Sequence, residues 1–139
     1  MAWLQENGTT ILMMVLFLAF VLRGPVLAYY YRIGSMSVHE LSQRLASARP
    51  ILLIDVRTPA EFAGGHVGQA RSYPLGSLSS KGDEMKKVAK DNDIAVICRS
   101  GSRSLMGSVA LKRLGMEKVY NVAGGMLHWE SQGYPVKRG

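Results

Sequence analysis

The stretch Ile94-Ala95-Val96-Ile97-Cys98-Arg99-Ser100-Gly101-Ser102-Arg103-Ser104 contains the only cysteine of the 139-residue chain. Ile94 to Ile97 is a short continuous apolar run, the pattern of a strand buried on both faces of a sheet. From Ser102 onward apolar residues fall at Leu105, Met106, Val109, Ala110 and Leu114, a helical stripe that Gly115 closes. The stretch therefore reads as strand, loop and helix, with a lone thiol at the carboxyl end of the strand. Small residues and two arginines surround that thiol, which points to an anion pocket and sulfur chemistry.

Outward from this stretch the pattern repeats. Ile51-Leu52-Leu53-Ile54-Asp55-Val56 is a second buried-strand run. Thr58 and Pro59 have the cap and first-turn residues of a short helix that Gly64-Gly65 stops. A short strand is expected near Ala70-Arg71-Ser72, and another over Lys118 to Val122. Ser37 with Glu40 three residues on forms a capping box, and Val38, Leu41 and Leu45 mark one helical face through about Ser47. Ser77 to Ala89 reads as a surface helix broken around Ser80-Lys81-Gly82, and Gly124-Gly125 opens a last helix through Trp129 and Glu130. Strands alternating with helices indicate an α/β domain with a parallel sheet, whose ligand crevice lies at the carboxyl ends of the strands. Asp55 and Cys98 both sit at such ends.

Only the thiolate is a good nucleophile, and a free cysteine ionises at a pKa of about 8.5. A helix starting near Ser102 directs backbone N–H groups and its dipole at the thiol. Gly101 and the serines let the backbone curl so that successive N–H groups converge. Arg99 and Arg103 add positive charge. Arg99, Ser100, Gly101, Ser102, Arg103 and Ser104 are thus the expected substrate cradle around Cys98. Asp55, Arg57 and Glu61 read as a small ion-pair group, two carboxylates fixing one guanidinium. His66, beside two glycines, is expected to tie loop backbone together, with a general-base role as the alternative.

Seventeen Lys and Arg against ten Asp and Glu leave a formal charge of +7. No Lys/Arg cluster interleaved with aromatics appears, so nucleic acid is not the expected partner. One cysteine cannot form an internal disulfide, and a single unpaired thiol suits a reducing compartment. No Cys/His spacing resembles a metal site.

Thr9 to Leu22 is almost wholly apolar; Arg23-Gly24-Pro25 interrupts the run and Val26-Leu27-Ala28 resumes it. As helix the first run spans about 21 Å, and continued to Ala28 about 30 Å, enough for the hydrocarbon core. Arg23 would snorkel to the headgroups, with Trp3 and Tyr29-Tyr30-Tyr31 as interfacial aromatics. Residues 9–28 are expected to form a single-pass membrane anchor. A cleaved signal peptide, with export of the rest, competes through the passable site Val26-Leu27-Ala28, although the first eight residues carry Glu6 and no Lys or Arg. A buried helix would need a core able to cover a helix apolar all round. Positive charge at Arg23 and Arg32 follows the segment, which orients the N-terminus outside and the domain in the cytoplasm. Residues 1–34 are therefore anchor and linker, and 35–139 the globular domain.

Four segments together resemble the rhodanese-like sulfurtransferases: Leu53 to Phe62 (Leu-Ile-Asp-Val-Arg-Thr-Pro-Ala-Glu-Phe), Gly65 to Ala70 (Gly-His-Val-Gly-Gln-Ala), Cys98 to Ser104, and Gly124-Gly125-Met126 with Trp129. They cover residues from about 35 to 136 in order and spacing; residues 1–34 lie outside the resemblance. It implies one rhodanese-like domain with a five-stranded parallel sheet flanked by helices, here preceded by one transmembrane helix. It implies Cys98 as acceptor of sulfur from a small sulfur-containing anion such as thiosulfate, passed as a persulfide to a thiol, a protein acceptor or cyanide. It implies no metal or organic cofactor. Phosphatases of the same fold place an arginine sixth after the cysteine; here that position is Ser104, which favours sulfur over phosphate.

Overall fold

The computed structural model describes residues 1–49 and 51–139. Its sheet has the strand order β1-β5-β4-β2-β3. The strands are β1 (Gly34–Met36), β2 (Ile51–Asp55), β3 (Arg71–Ser72), β4 (Asp93–Ile97) and β5 (Val119–Val122), and every neighbouring pair is parallel. This is the five-stranded parallel sheet that the resemblance implied.

Side chains alternate between the two faces of a strand, and both faces here are covered. Leu52, Ile54, Ile94 and Val96 pack with Met85 and Ala89 of α4 (Gly82–Ala89) and Leu111 of α5 (Ser102–Arg113). Leu53, Ala95 and Ile97 pack on the other side with Val38 and Leu41 of α2 (Val38–Ala46) and Met126 and Trp129 of α6 (Gly125–Ser131). Burying each such side chain contributes about 1.5–3 kcal/mol, which is why β2 and β4 have no polar alternation. Asp55 pairs in register with Ile97, so β2 and β4 end at one level and Cys98 leaves the sheet beside Asp55.

The caps form as their residues require. Ser37 Oγ accepts from Glu40 N at 3.0 Å, and Thr58 with Glu61 closes a full capping box at the start of α3 (Pro59–Ala63). The break before α4 takes the form of two 3-10 turns, Leu75–Ser77 and Ser79–Lys81. β1 is a three-residue edge strand with no periodicity to betray it. It exists because β5 offers an open edge, and Gly34 lies under the Tyr120 ring where a Cβ could not fit.

The N-terminal helix α1 (Ala2–Tyr30) runs without a break through Pro25, and none of its residues is buried. It is long and apolar enough to cross a membrane, a property that signal sequences share. Its last turns meet the domain. A Cβ on Gly24 would lie 3.1 Å from Leu105, and Arg23 reaches Met106 Sδ at 3.5 Å. Just beyond α1, Tyr31 accepts from Arg113 Nε at 2.9 Å while the Arg113 guanidinium lies 5.4 Å from its ring centroid. One expectation changes accordingly. Leu105 and Met106 are half-buried against α1 rather than part of the sheet core. Arg23, Gly24 and Tyr31 meet α5, while Val26, Tyr29 and Tyr30 between them stay exposed.

Candidate active site

Cys98 follows β4 directly, and its side chain is 1% exposed on the α4/α5 side of the sheet. The chain turns at Gly101, whose φ of +110° lies in the left-handed region that glycine adopts without strain. The turn brings Gly101 N within 3.0 Å of Cys98 Sγ and starts α5 at the next residue. Ser104, one helical turn further, is fully buried with Oγ 3.3 Å from Sγ. The sulfur therefore sits at the base of a ring of donors, beneath the first turn of a twelve-residue helix.

Burial pushes the thiol pKa up, and this is the largest single influence. The hydrogen bond with the Ser104 hydroxyl and those from the Ser104, Gly101 and Ser100 backbone together outweigh it, so the net shift is downward. The site stabilises a thiolate because a charge-assisted hydrogen bond to sulfur is worth more than one to a neutral thiol.

The loop residues divide by position. Arg99 and Ser100 are exposed, and Arg99 has no ion pair or side-chain hydrogen bond among the described residues. Ser102 is exposed at the first position of α5. Arg103 is held by Glu61 through two bonds, Nη1 to Oε1 at 2.7 Å and Nη2 to Oε2 at 2.8 Å. Mainly because of this guanidinium, the Glu61 pKa falls from 4.5 to about 2, against the opposing effect of burial. The charge of Arg103 thus stands near the thiol but is committed to a partner, whereas the exposed Arg99 has no such partner among the described residues.

This corrects the expected ion-pair group. Asp55 and Arg57 do pair, with Arg57 Nη2 2.7 Å from Asp55 Oδ2 and Nε 3.0 Å from Oδ1. Glu61 takes no part. Asp55 already saturates one edge of the Arg57 guanidinium, and Gly65 O accepts from Nη2 at 2.8 Å. The pair ties β2 to the loop after α3, while Glu61 reaches across to α5. His66 is 4% exposed, with Nδ1 2.7 Å from Phe62 O and its ring stacked on Phe62 at 3.7 Å. It ties the loop after α3 and does not contact the thiol.

Two parts of the chain that the sequence did not connect to this loop, the start of α6 and Asn121 of β5, complete the cradle. Met126 N and Leu127 N, at the start of α6, donate to Cys98 O at 2.8 Å and Arg99 O at 3.0 Å. That approach requires Gly125, where a Cβ would strike the Cys98 carbonyl oxygen and lie 2.7 Å from that of Arg99. Asn121 of β5 bonds both Ser104 Oγ, at 2.5 Å, and Gly101 O, at 3.2 Å. A lone asparagine inside an apolar strand run was the available signal. Two clefts, of about 430 and 570 Å³, lie away from Cys98, one lined by Lys86, Lys90, Met116 and Lys118 and the other where α1 meets β1.

Residues 37–132 match the rhodanese-like domain, and the chain belongs to that family. A protein described as a sulfurtransferase from Allochromatium vinosum is 36% identical over 104 residues, 75% of this chain and 94% of that one. A putative sulfurtransferase of Bacillus subtilis is 35% identical over 103 residues, 74% of this chain and 96% of its own. The crystal structure of a rhodanese-related protein from Thermoplasma volcanium superposes with a TM-score of 0.65 at 30% identity, covering 76% of this chain and 99% of that one. All three similarities leave a part of this chain unmatched that is large enough to hold α1.

Proposed function

We propose that the protein is a sulfurtransferase in which Cys98 carries the sulfur. The observation that supports this most directly is the cradle itself: the only thiol of the chain, with a lowered pKa, at the carboxyl end of a central strand, beside the loop backbone donors and hydrogen-bonded to the Ser104 hydroxyl. With thiosulfate as donor, the Cys98 thiolate attacks the outer sulfur. The sulfur–sulfur bond of thiosulfate breaks and sulfite leaves with the bonding pair. Cys98 then bears a persulfide whose terminal charge faces the loop amides. An acceptor thiolate or cyanide takes the outer sulfur and returns the Cys98 thiolate, giving ping-pong kinetics. Arg99 attracts the anionic donor, and Arg103 contributes charge from its place beside Glu61.

A second reading, a relay that takes its sulfur from a protein, has support in Leu127. This residue is 48% exposed and adjacent to the Arg99 backbone, an apolar contact at the mouth of the site. Phosphoryl transfer is disfavoured because Ser104 holds the sixth position after Cys98 and is buried against the sulfur.

The test incubates the full chain in detergent with thiosulfate and looks by mass spectrometry for one added sulfur on Cys98. Wild type gains it and Cys98→Ser does not. Turnover of thiosulfate by Cys98→Ser at the wild-type rate would remove the assignment. A persulfide formed from a protein donor, with negligible thiosulfate turnover, would select the relay.

For α1 we propose a membrane anchor over Ala2–Leu22, about 31 Å at 1.5 Å per residue. The contacts of Arg23, Gly24 and Tyr31 with α5 support this limit. The domain then stands at the cytoplasmic face, and a C-terminal reporter active only outside the cytoplasm would overturn that orientation.

A further inference from the structure

Cys98, Ser104, Asn121 and Gly101 form a closed ring of hydrogen bonds. Gly101 O can only accept, so the Asn121 atom facing it at 3.2 Å is the amide nitrogen. The opposite atom, Oδ1, therefore faces Ser104, and at 2.5 Å the Ser104 hydroxyl must donate to it. Ser104 has one proton and has used it. In the thiol state Cys98 donates to the open lone pair of Ser104 Oγ, and Gly101 N–H donates to Sγ. Within this ring each of the four residues gives one hydrogen bond and takes one.

Loss of the Cys98 proton breaks this circuit. A thiolate cannot donate, and it gains from Ser104 only if the hydroxyl turns from Asn121 to the sulfur. Asn121 Oδ1, in a half-buried strand between β1 and β4, then loses its donor. We infer that Asn121 is a positioning residue that competes with the Cys98 sulfur for the single proton of Ser104, and so restrains the bare thiolate relative to the thiol and the persulfide.

The persulfide part of this inference rests on the proposed function. Once Cys98 bears a second sulfur the charge lies on the outer atom. Sγ no longer needs the Ser104 proton, which returns to Asn121. The restraint thus falls on the thiolate between turnovers and not on the loaded carrier.

The charged groups around the sulfur do not duplicate this role. Arg103, on α5, interacts with the Cys98 charge and is paired with Glu61 of α3. Asp55, at the end of β2, is paired with Arg57. Arg99 is exposed on the loop. None of them touches Asn121 or the Ser104 hydroxyl through a hydrogen bond among the described residues.

The test titrates Cys98 in the full chain in detergent through the carbon-13 signal of its single cysteine. This readout does not require that sulfur be transferred, so it can fail independently of the proposed function. Asn121→Ala should lower the ionisation midpoint by about one pH unit, one hydrogen bond's worth. Ser104→Ala should raise it. Asn121→Ala added to Ser104→Ala should change nothing further, because without the hydroxyl there is no proton to compete for. Asn121→Leu, close to asparagine in size, must give the same fall and stands in if the alanine variant does not fold. An unchanged or raised midpoint in the folded Asn121 variant, or an equal shift with and without the Ser104 hydroxyl, overturns the inference.

Discussion

Replacing Gly125 by alanine should disable the site without touching the thiol. Gly125 has φ +52°, and its Cβ would meet the carbonyl oxygens of both Cys98 and Arg99. Those oxygens belong to backbone, so no side chain can swing aside. A left-handed non-glycine residue costs about 1–2 kcal/mol. Overpacking against an immobile neighbour adds about 1–3 kcal/mol. Relief of the clash requires α6 to retreat, which lengthens the Met126 and Leu127 bonds to the loop, each worth about 1 kcal/mol. The contributions overlap, and a loss of about 3–5 kcal/mol is expected, a large share of the stability of a small domain. Gly133→Ala is the matched control. It also has positive φ, at +77°, but a Cβ there meets nothing within 4 Å, so only the backbone cost of about 1–2 kcal/mol applies. Urea unfolding can be followed by Trp129, which is 3% exposed, in a Trp3→Phe background that removes the other tryptophan. Sulfur loading is measured under native conditions. Equal destabilisation of the two glycine variants, or normal Cys98 loading in folded Gly125→Ala, would refute the backbone-clash argument.

Asp55→Ala leaves Arg57 as a buried cation without its carboxylate, and a loss of about 3–5 kcal/mol in urea unfolding is expected; a loss under about 1 kcal/mol would mean that water or Gly65 O alone satisfies the guanidinium. The Glu61–Arg103 pair carries a pH signature. The Glu61 pKa is depressed in the folded state to about 2, so its stabilisation is complete above the ordinary value of 4.5 and is lost as pH falls toward 2. Because the Glu61 side chain is 31% exposed, solvent screening limits the contribution to about 1 kcal/mol. Wild type and Glu61→Gln should differ by that amount at neutral pH and converge between about pH 4.5 and 2; a difference that persists at pH 2 would assign the effect to packing rather than charge.

What was legible in the sequence is what short-range physics determines. Ile51–Val56 and Ile94–Ile97 announce a doubly covered sheet because a strand with no solvent face has no reason to alternate. Ser37 with Glu40 and Thr58 with Glu61 announce helix starts because a cap and its partner lie three residues apart. Cys98 to Ser104 announces its loop because strand, glycine and helix follow one another directly.

The tertiary structure decided which partner each side chain meets across distant segments. Glu61 lies four residues from Arg57 and 42 from Arg103, yet it pairs with Arg103, because Asp55 and Gly65 have already filled the Arg57 guanidinium. Asn121 enters the site from a strand 17 residues beyond Ser104, brought there by the parallel register of β5 beside β4. Gly125 matters because α6 starts against the backbone of Cys98 and Arg99. Leu105 and Met106 read as core by periodicity, but that face of α5 is where α1 docks. Periodicity records that a face is apolar; only the folded chain decides what covers it. For Cys98 the sequence alone determined a lone thiol at a strand end in a small-residue loop. The donors to its sulfur come from residues 100–104 of the same loop, but Asn121 of β5 and the first turn of α6, which hold that loop, reach it only because the parallel sheet brings them to one end.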